Sequence, residues 1–166
     1  MQQTNMNNEA LQPGSTATPF STFIWAVVSG DVASVEALLA DDVEWDLMPY
    51  NHIIKGKKEV ISWMKAGAAG QKELVAISNL AIKEWGVFES WEIGTFTKDV
   101  AEFFKQQDFK QQEWPFPEDP SSLIGRKHKV AKCFVYHLNA EGKIDVVREY
   151  LDASGIIAQL SKGNVK

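Results

Sequence analysis

The chain has 166 residues, of which 45% are hydrophobic and 23% charged, and its formal net charge at pH 7 is −5. This length suits one domain with a buried core, and the composition excludes a disordered or fibrous chain. An acidic chain without a basic stripe cannot neutralise phosphates, so we expect no nucleic-acid partner. The single cysteine, Cys133, excludes an internal disulfide and a cysteine-based zinc site.

The N-terminal segment does not have the pattern of a signal peptide. Residues 1–17 are polar and lack the basic start and apolar run of a signal peptide, and no stretch reaches the length of about 20 apolar residues that spans a membrane. We therefore expect a cytoplasmic protein without a membrane partner. Residues 1–17 are predicted as a disordered arm, residues 18–160 as one domain and residues 161–166 as a C-terminal tail.

Three helices are predicted first. A threonine followed by proline at 18–19 is typical of a helix start, and an apolar stripe at helical spacing follows. Gly30 ends this helix, Asp31 caps a second one that ends at 41–42, and residues 57–68 form the third. The stripes contain Phe20, Phe23, Ile24, Val27 and Val28 in the first helix, Val32, Val35, Leu38 and Leu39 in the second, and Val60, Ile61 and Met64 in the third.

The rest of the chain is mainly strand. Helices followed by a run of adjacent long strands predict an α+β domain whose helices cover one face of an antiparallel sheet. A bulge is expected near Ser78-Asn79, a turn at Gly86, and an insertion at 98–127 that begins with an amphipathic helix. The predicted strands are 43–47, 74–85, 87–97, 130–138 and 143–152, and a short helix at 156–160 closes the domain.

Both faces of the strand at 87–97 are largely apolar. A sheet with helices on one face buries a second apolar face against another subunit or, alternatively, under the insertion. We expect a homodimer through the face that carries Trp91, Ile93 and Tyr150, because closed two-fold dimers are the commonest oligomers.

Three segments carry a resemblance to known proteins: Asp41–Trp45, Gly56 before the third helix, and the chain end at 142–152. With the order of elements, they resemble the nuclear transport factor two-like (NTF2-like) superfamily. This group includes ketosteroid isomerases, SnoaL-like polyketide cyclases and limonene-1,2-epoxide hydrolases. The strand at 88–93 and the chain end look most like the hydrolases. The resemblance implies a cystatin-like fold: a cone-shaped, strongly curved antiparallel sheet with three N-terminal helices over its concave face.

The resemblance also implies positions for an active site. It places Glu92 and Glu149 where the hydrolases have two catalytic aspartates, and Ser90 where they have a bridging arginine. Trp45 and Leu47 lie near the tyrosine and asparagine that help to hold the attacking water. In that mechanism one acid protonates the epoxide oxygen and one base activates water, while the arginine sets the charge balance.

Side chains of the same strand parity as the two glutamates are mostly apolar, which is typical of a small-molecule pocket. Lys132 has this parity and is the expected counter-charge, as a point charge rather than a bidentate clamp. His52 and His128 are predicted in loops, so no metal spacing is recognised. We expect a small apolar ligand, no cofactor and no metal, and a pocket lined by Trp45, Leu47, Phe88, Ser90, Lys132, Phe134, Tyr136, Val147 and Leu151.

Two classes of function remain open. The first is a cofactor-independent enzyme in which Glu92 and Glu149 act as acid and base, with desolvation and repulsion keeping one of them protonated. It would open an epoxide or move protons in an isomerase or cyclase reaction. The second is a non-catalytic binding or assembly module in which a salt-bridged cluster has no chemistry. The insertion at 98–127, which contains Trp114-Pro115-Phe116-Pro117, is predicted to form a lid or pocket wall or, alternatively, a surface excursion that packs on the sheet edge.

Overall fold

A computed structural model describes residues 19–106, 117 and 119–161 of the chain. The helices are α1 (Pro19–Ser29), α2 (Val32–Leu38), α3 (Lys57–Gly70), α4 (Lys98–Gln106) and α5 (Ala153–Ser161). The strands are β1 (Leu39–Leu47), β2 (His52–Lys55), β3 (Gln71–Ile82), β4 (Trp85–Thr95), β5 (Lys127–Leu138) and β6 (Ile144–Leu151). Short 3-10 helices occupy Met48–Tyr50 and Pro120–Leu123. The α+β class predicted from the sequence is confirmed.

The six strands form one curved sheet in the order β2-β1-β6-β5-β4-β3. Neighbouring strands are antiparallel except β1 and β6, which pair in parallel with Leu47 opposite Glu149. The sheet is therefore mixed rather than wholly antiparallel as expected, because the last strand returns beside the first. A register shift between Ala76 and Ser78 of β3 places a bulge where the sequence predicted one.

Strand β1 begins at Leu39, earlier than the predicted start at Val43. The residues expected to end the second helix, Asp41 and Asp42, are exposed, and the pairing of β1 with β6 shifts register between Leu39 and Glu44. The two aspartates thus lie in an irregular part of the strand. The fully buried residues Leu39 and Val43 lie before and after this irregular part and hold it against the core. Strand β2, which pairs with β1, was not predicted at all.

The turn between β3 and β4 lies at Lys83-Glu84 and not at Gly86. Lys83 has a φ angle of +54°, so a lysine and not a glycine adopts the left-handed conformation in this turn. Gly86 lies inside β4 opposite Tyr136, and a Cβ atom there would collide with the Tyr136 ring. The glycine is therefore needed for the close approach of a neighbouring side chain rather than for a turn.

Helices α1 and α3 pack on the inner face of the sheet, and α2 packs against both of them. Phe20 and Phe23 of α1 contact the Tyr136 ring, with centroid distances of 5.1 and 5.6 Å. The Asp31 carboxylate caps α2 as predicted, accepting hydrogen bonds from the Ser34 backbone N–H (3.1 Å) and hydroxyl (2.6 Å). Aromatic packing between α1 and Tyr136 of β5 therefore fills the core at this position of the sheet.

The insertion begins with the predicted amphipathic helix. Phe103 and Phe104 of α4 are buried and pack on Trp63 of α3, with ring centroids 5.1 and 5.7 Å apart. The Trp114–Phe116 part of the predicted lid, the arm at 1–17 and the tail beyond Ser161 lie outside the described residues. Within the described part, no helix combines the length and hydrophobicity needed to cross a membrane.

The opposite side of the sheet, which we call the outer face, carries Trp85, Trp91 and Tyr150. These side chains are 37%, 40% and 39% exposed. The Lys129 ammonium lies 5.0 Å from the centroid of the Trp91 ring, and the Arg148 guanidinium lies 5.6 Å from that of Trp85. Large aromatic side chains with basic groups over them form a surface rich in the residue types that protein interfaces favour.

We propose that the outer face is the contact surface of a homodimer. Trp91→Glu would place a carboxylate in a contact that excludes water, so we expect dissociation to monomers at micromolar concentration, measured by sedimentation equilibrium. Ile124→Glu changes an equally exposed apolar residue outside the sheet and should leave the dimer intact. A wild-type monomer at high micromolar concentration would exclude the dimer.

Candidate functional site

Three charged side chains meet on the inner face of the sheet. The Lys132 Nζ lies 2.8 Å from Glu92 Oε2 and 2.8 Å from Glu149 Oε1. Strand register explains the arrangement: Glu92 is opposite Val130 and Glu149 is opposite Phe134, so the carboxylates lie diagonally on either side of Lys132. We call Glu92, Lys132 and Glu149 the charged cluster.

Hydrogen bonds extend the cluster at both ends. His128 Nε2 lies 2.9 Å from Glu92 Oε1, and the Trp45 indole N–H donates to Glu149 Oε2 at 2.9 Å. Each of the four carboxylate oxygens therefore meets a polar partner. Glu149 Oε1 is distinctive, because it is buried and meets the Lys132 ammonium without the alignment of a hydrogen bond to any described residue.

The prediction that His128 lies in a loop is wrong, because β5 begins at Lys127. His128 shares the parity of Lys132, so extending the strand alternation three residues towards the N-terminus would have identified it. Gly94 lies opposite, and a Cβ atom at Gly94 would come 2.8 Å from His128 Cε1. The glycine thus makes room for the ring that bonds Glu92.

The charged cluster is largely removed from water: the side chain of Glu149 is 2% exposed and that of Lys132 is 11% exposed. Burial by itself raises the pKa of Glu92, but the Lys132 ammonium and the His128 hydrogen bond outweigh it and lower that pKa to about 2. Burial likewise lowers the pKa of Lys132, yet the two carboxylates raise it well above its ordinary value. Glu92 and Lys132 are both ionised at neutral pH.

Glu92 is thus an ionised member of the pair, in which the sequence predicted that Lys132 lowers the pKa of the glutamate that it approaches. The lysine lies between the two carboxylates, 2.8 Å from an oxygen of each. Lys132 also takes the bridging place that the resemblance assigns to an arginine at Ser90. Ser90 is fully buried, and its hydroxyl has no hydrogen-bond partner among the described residues.

Two cavities flank the charged cluster, with volumes of about 560 and 620 Å³ that include space open to solvent. All three members of the cluster lie on the walls of both cavities, as do Trp63 and Gly67 of α3. The other walls are largely apolar. They include Ala26, Val27, Val32, Trp45, Met64, Leu74 and Phe134 in the first cavity, and Tyr50, Phe96, Val100, Phe104, Leu151 and Ile156 in the second.

The structure brings the two predicted catalytic residues, Glu92 and Glu149, to one wall. Of the predicted ligand-binding residues, Lys132 lies on both cavities, Trp45 and Phe134 on the first, and Leu151 on the second. The others are at most 1% exposed and line neither cavity, because α1 and neighbouring core residues pack directly on that end of the sheet. They are Leu47, Phe88, Ser90, Tyr136 and Val147.

The sequence analysis did not identify the residues of the helices that line the two cavities. Trp63 and Gly67 of α3 line both cavities, and Val100 of α4 lines the second one. A helical stripe shows that a residue is buried, but it does not show whether the residue meets another side chain or a space. Among the described residues, no group of three or more histidine, cysteine, aspartate or glutamate side chains is arranged to hold a metal ion.

Comparison with known proteins identifies the fold. No protein-family model and no curated protein matches the chain. Solved structures do match it, among them an LEH-like epoxide hydrolase from M. tuberculosis with 17% identity and a TM-score of 0.60, covering 89% of this chain and 90% of that one.

An NTF2-like protein of unknown function from Cytophaga hutchinsonii is 18% identical with a TM-score of 0.55, and the match covers 81% of this chain and 96% of that one. A Silicibacter pomeroyi protein with a cystatin-like fold is 14% identical with a TM-score of 0.60, covering 90% and 84%. The chain has the NTF2-like fold that the sequence predicted.

The lowered pKa of Glu92 predicts a pH-dependent contribution to stability. The carboxylate stabilises the folded state fully above its ordinary pKa of 4.5, and this contribution is lost as the pH falls towards 2. Between these values the wild type should lose about 2 kcal/mol more of its free energy of unfolding than Glu92→Gln loses. Denaturant unfolding across this pH range measures the difference.

Glu89→Gln is the matched control for this experiment. Glu89 is on the same strand but on the outer face, where it accepts a hydrogen bond from the Ser78 hydroxyl. Its substitution should leave the pH profile close to that of the wild type. If Glu92→Gln and the wild type lost stability in parallel, the ion pair with Lys132 would not be formed in solution.

Proposed function

We propose that this protein binds one small, largely apolar molecule in the two cavities, with a polar group of that molecule on the charged cluster. The observation that supports this proposal is the wall that the two cavities share. Glu92, Lys132 and Glu149 line both cavities, and apolar and aromatic side chains form most of the remaining surface. A mainly apolar space with a few convergent polar groups is the usual form of a small-molecule site.

The arrangement of donors supports contact between the cluster and a ligand. An ammonium group has three N–H donors, and Lys132 meets the two carboxylates at 2.8 Å as ion pairs, with Glu149 Oε1 outside hydrogen-bond geometry. The ammonium group therefore keeps N–H donor capacity for an acceptor atom of a ligand, and the second lone pairs of the carboxylate oxygens remain for donors. The polar group of a ligand can therefore be held without breaking the ion pairs.

Gly67→Leu tests whether the cavities are the binding site. Gly67 lies on both cavity walls, and apart from its neighbours in the helix no described atom lies within 4 Å of a Cβ added there, so a leucine side chain would start in open space and extend into the cavities. We expect the variant to fold with equal or higher stability, because glycine in a helix costs about 1 kcal/mol relative to alanine. Binding of limonene 1,2-epoxide, measured by calorimetry, should weaken at least about tenfold.

Ser62→Leu is the control, since it adds the same side chain at an exposed position of α3. It should bind the epoxide as the wild type does. Unchanged affinity in Gly67→Leu would place the binding site elsewhere, and the proposed function would then be wrong.

Acid–base catalysis is a second candidate function. It is favoured by one observation: two carboxylates on one cavity wall are bridged by a buried cation, the arrangement that epoxide opening uses in the proteins that this sequence resembles. Because Glu92 is ionised at neutral pH, it fits the role of base or electrostatic partner, and the acid must be another group. His128, hydrogen-bonded to Glu92 on the wall of the second cavity, is positioned for that role.

Hydrolysis of limonene 1,2-epoxide to the diol, followed by gas chromatography, separates the two candidates. Catalysis predicts that Glu92→Gln and Glu149→Gln each lower the rate at least about a hundredfold while the epoxide still binds, because positioned acids and bases contribute factors of this size. Glu89→Gln should retain the wild-type rate. Binding by the wild type without turnover would leave the protein as a binding module for this class of molecule.

A further inference from the structure

The two cavities share one group of wall residues and otherwise have different walls. Trp63 and Gly67 of α3 and the three members of the charged cluster line both cavities. Beyond them the first cavity extends along α1 to the start of α2, whereas the second extends along α4 and α5. The residues of these helices are Ala26, Val27 and Val32 on the first cavity and Val100, Phe104, Ile156 and Leu160 on the second. The charged cluster therefore lies between two apolar spaces rather than at the end of one.

The shared residues come from opposite sides of the enclosure. The charged cluster belongs to the strands β4, β5 and β6, and Trp63 and Gly67 belong to α3 across from it. Apart from neighbours in the helix, no described atom lies within 4 Å of a Cβ added at Gly67. Because glycine has no side chain, α3 leaves open space at the boundary of the two cavities.

Polar groups on the described walls are concentrated around the charged cluster. His128 bonds Glu92, and the Trp45 indole bonds Glu149. The far part of the first cavity, along α1 and α2, is lined by apolar residues and glycine. A polar group of a ligand in that part would lose water without gaining a partner among the described side chains. The favourable position for the polar group is therefore at the cluster, between the two cavities.

The cluster offers this polar group a hydrogen-bond donor. The Lys132 ammonium keeps N–H donor capacity beside its two ion pairs. The oxygen of a ketone, an ether or an epoxide accepts such a bond and has carbon on both sides. A terminal carboxylate or primary alcohol has carbon on one side only, so with its oxygen at the cluster its chain could extend into only one cavity.

We propose that the ligand of this site is an elongated molecule that occupies both cavities at once and has an oxygen acceptor in the interior of its chain. The oxygen bonds Lys132, the chain passes the cluster beside Gly67, and one apolar arm lies in each cavity. This inference rests on the proposed function, because it specifies where the polar group stands in the molecule bound there. Ketones, ethers and epoxides share this acceptor chemistry.

Two isomeric ketones test the inference without a variant. Dibutyl ketone has two equal arms, whereas methyl heptyl ketone has the same atoms with nearly all of its carbon on one side of the carbonyl. With its oxygen on Lys132, the second ketone must fit an arm that is three methylene groups longer into one cavity, and each methylene left in water weakens binding roughly fourfold. We expect calorimetry to show that the wild type binds dibutyl ketone at least about tenfold more tightly.

Variants that fill one cavity at a time show whether both arms are needed. Ala68→Leu adds apolar volume to the wall of the first cavity alone, and Val100→Phe adds it to that of the second alone. Each should weaken binding of dibutyl ketone about tenfold. Each should weaken methyl heptyl ketone less than about threefold, because its long arm can use the cavity that remains.

Ser62→Leu, at an exposed position of α3, is the control and should change neither affinity. Thermal unfolding shows whether each variant retains the fold. If a filling variant does not fold, the comparison of the two ketones on the wild type still decides the inference.

The outcomes separate this inference from the proposed function. If methyl heptyl ketone binds the wild type at least as tightly as dibutyl ketone, the inference is wrong, but an apolar binding site remains. If only one of the two folded filling variants weakens dibutyl ketone, the molecule occupies one cavity and the inference is wrong. If neither ketone binds while limonene 1,2-epoxide does, the elongated class is excluded. If none of the three binds, the proposed function fails as well.

Discussion

The position of Lys132 between two buried carboxylates is the constraint on which this site depends. A lone ammonium at this depth would be strongly disfavoured, and so would either glutamate without it. Breaking a buried pair by removing one partner typically costs about 3–5 kcal/mol, because an uncompensated charge stays behind. The three side chains therefore hold one another in place, and the hydrogen bonds from His128 and Trp45 restrict the rotamers of the carboxylates.

The inner face of the sheet is divided by how tightly the helices approach it. At one end Phe20 and Phe23 press on Tyr136, and Gly86 allows the ring to lie against the strand. At the other end α3 carries Gly67 towards the sheet, where no side chain fills the space. A single curved sheet thus has a solid core and an open pocket next to each other, with the charged cluster at their boundary.

The fold and the site support conclusions of different strength. The NTF2-like fold follows from solved structures whose matches cover most of the chain. The three structures named above are at most 18% identical to this chain in sequence. One scaffold hosts many functions, so chemistry must be argued from the side chains present. Here a lysine from β5 bridges the carboxylates, and Ser90 on β4 does not. The same charge pattern is thereby reached from a different strand, with a point charge instead of a planar guanidinium.

The sequence by itself determined the α+β class and the amphipathic helices, because these depend on local periodicity and on which residues avoid water. Both faces of the strand at 87–97 are largely apolar, so it was the resemblance to known proteins that indicated that Glu92, Lys132 and Glu149 face inward. The sequence did not determine that β1 and β6 pair in parallel, that Gly86 makes room for Tyr136, or that His128 belongs to β5. Only the tertiary structure decided which inward residues meet a cavity and which meet the core. That choice depends on the distance between a helix and the sheet, which no local pattern in either element encodes.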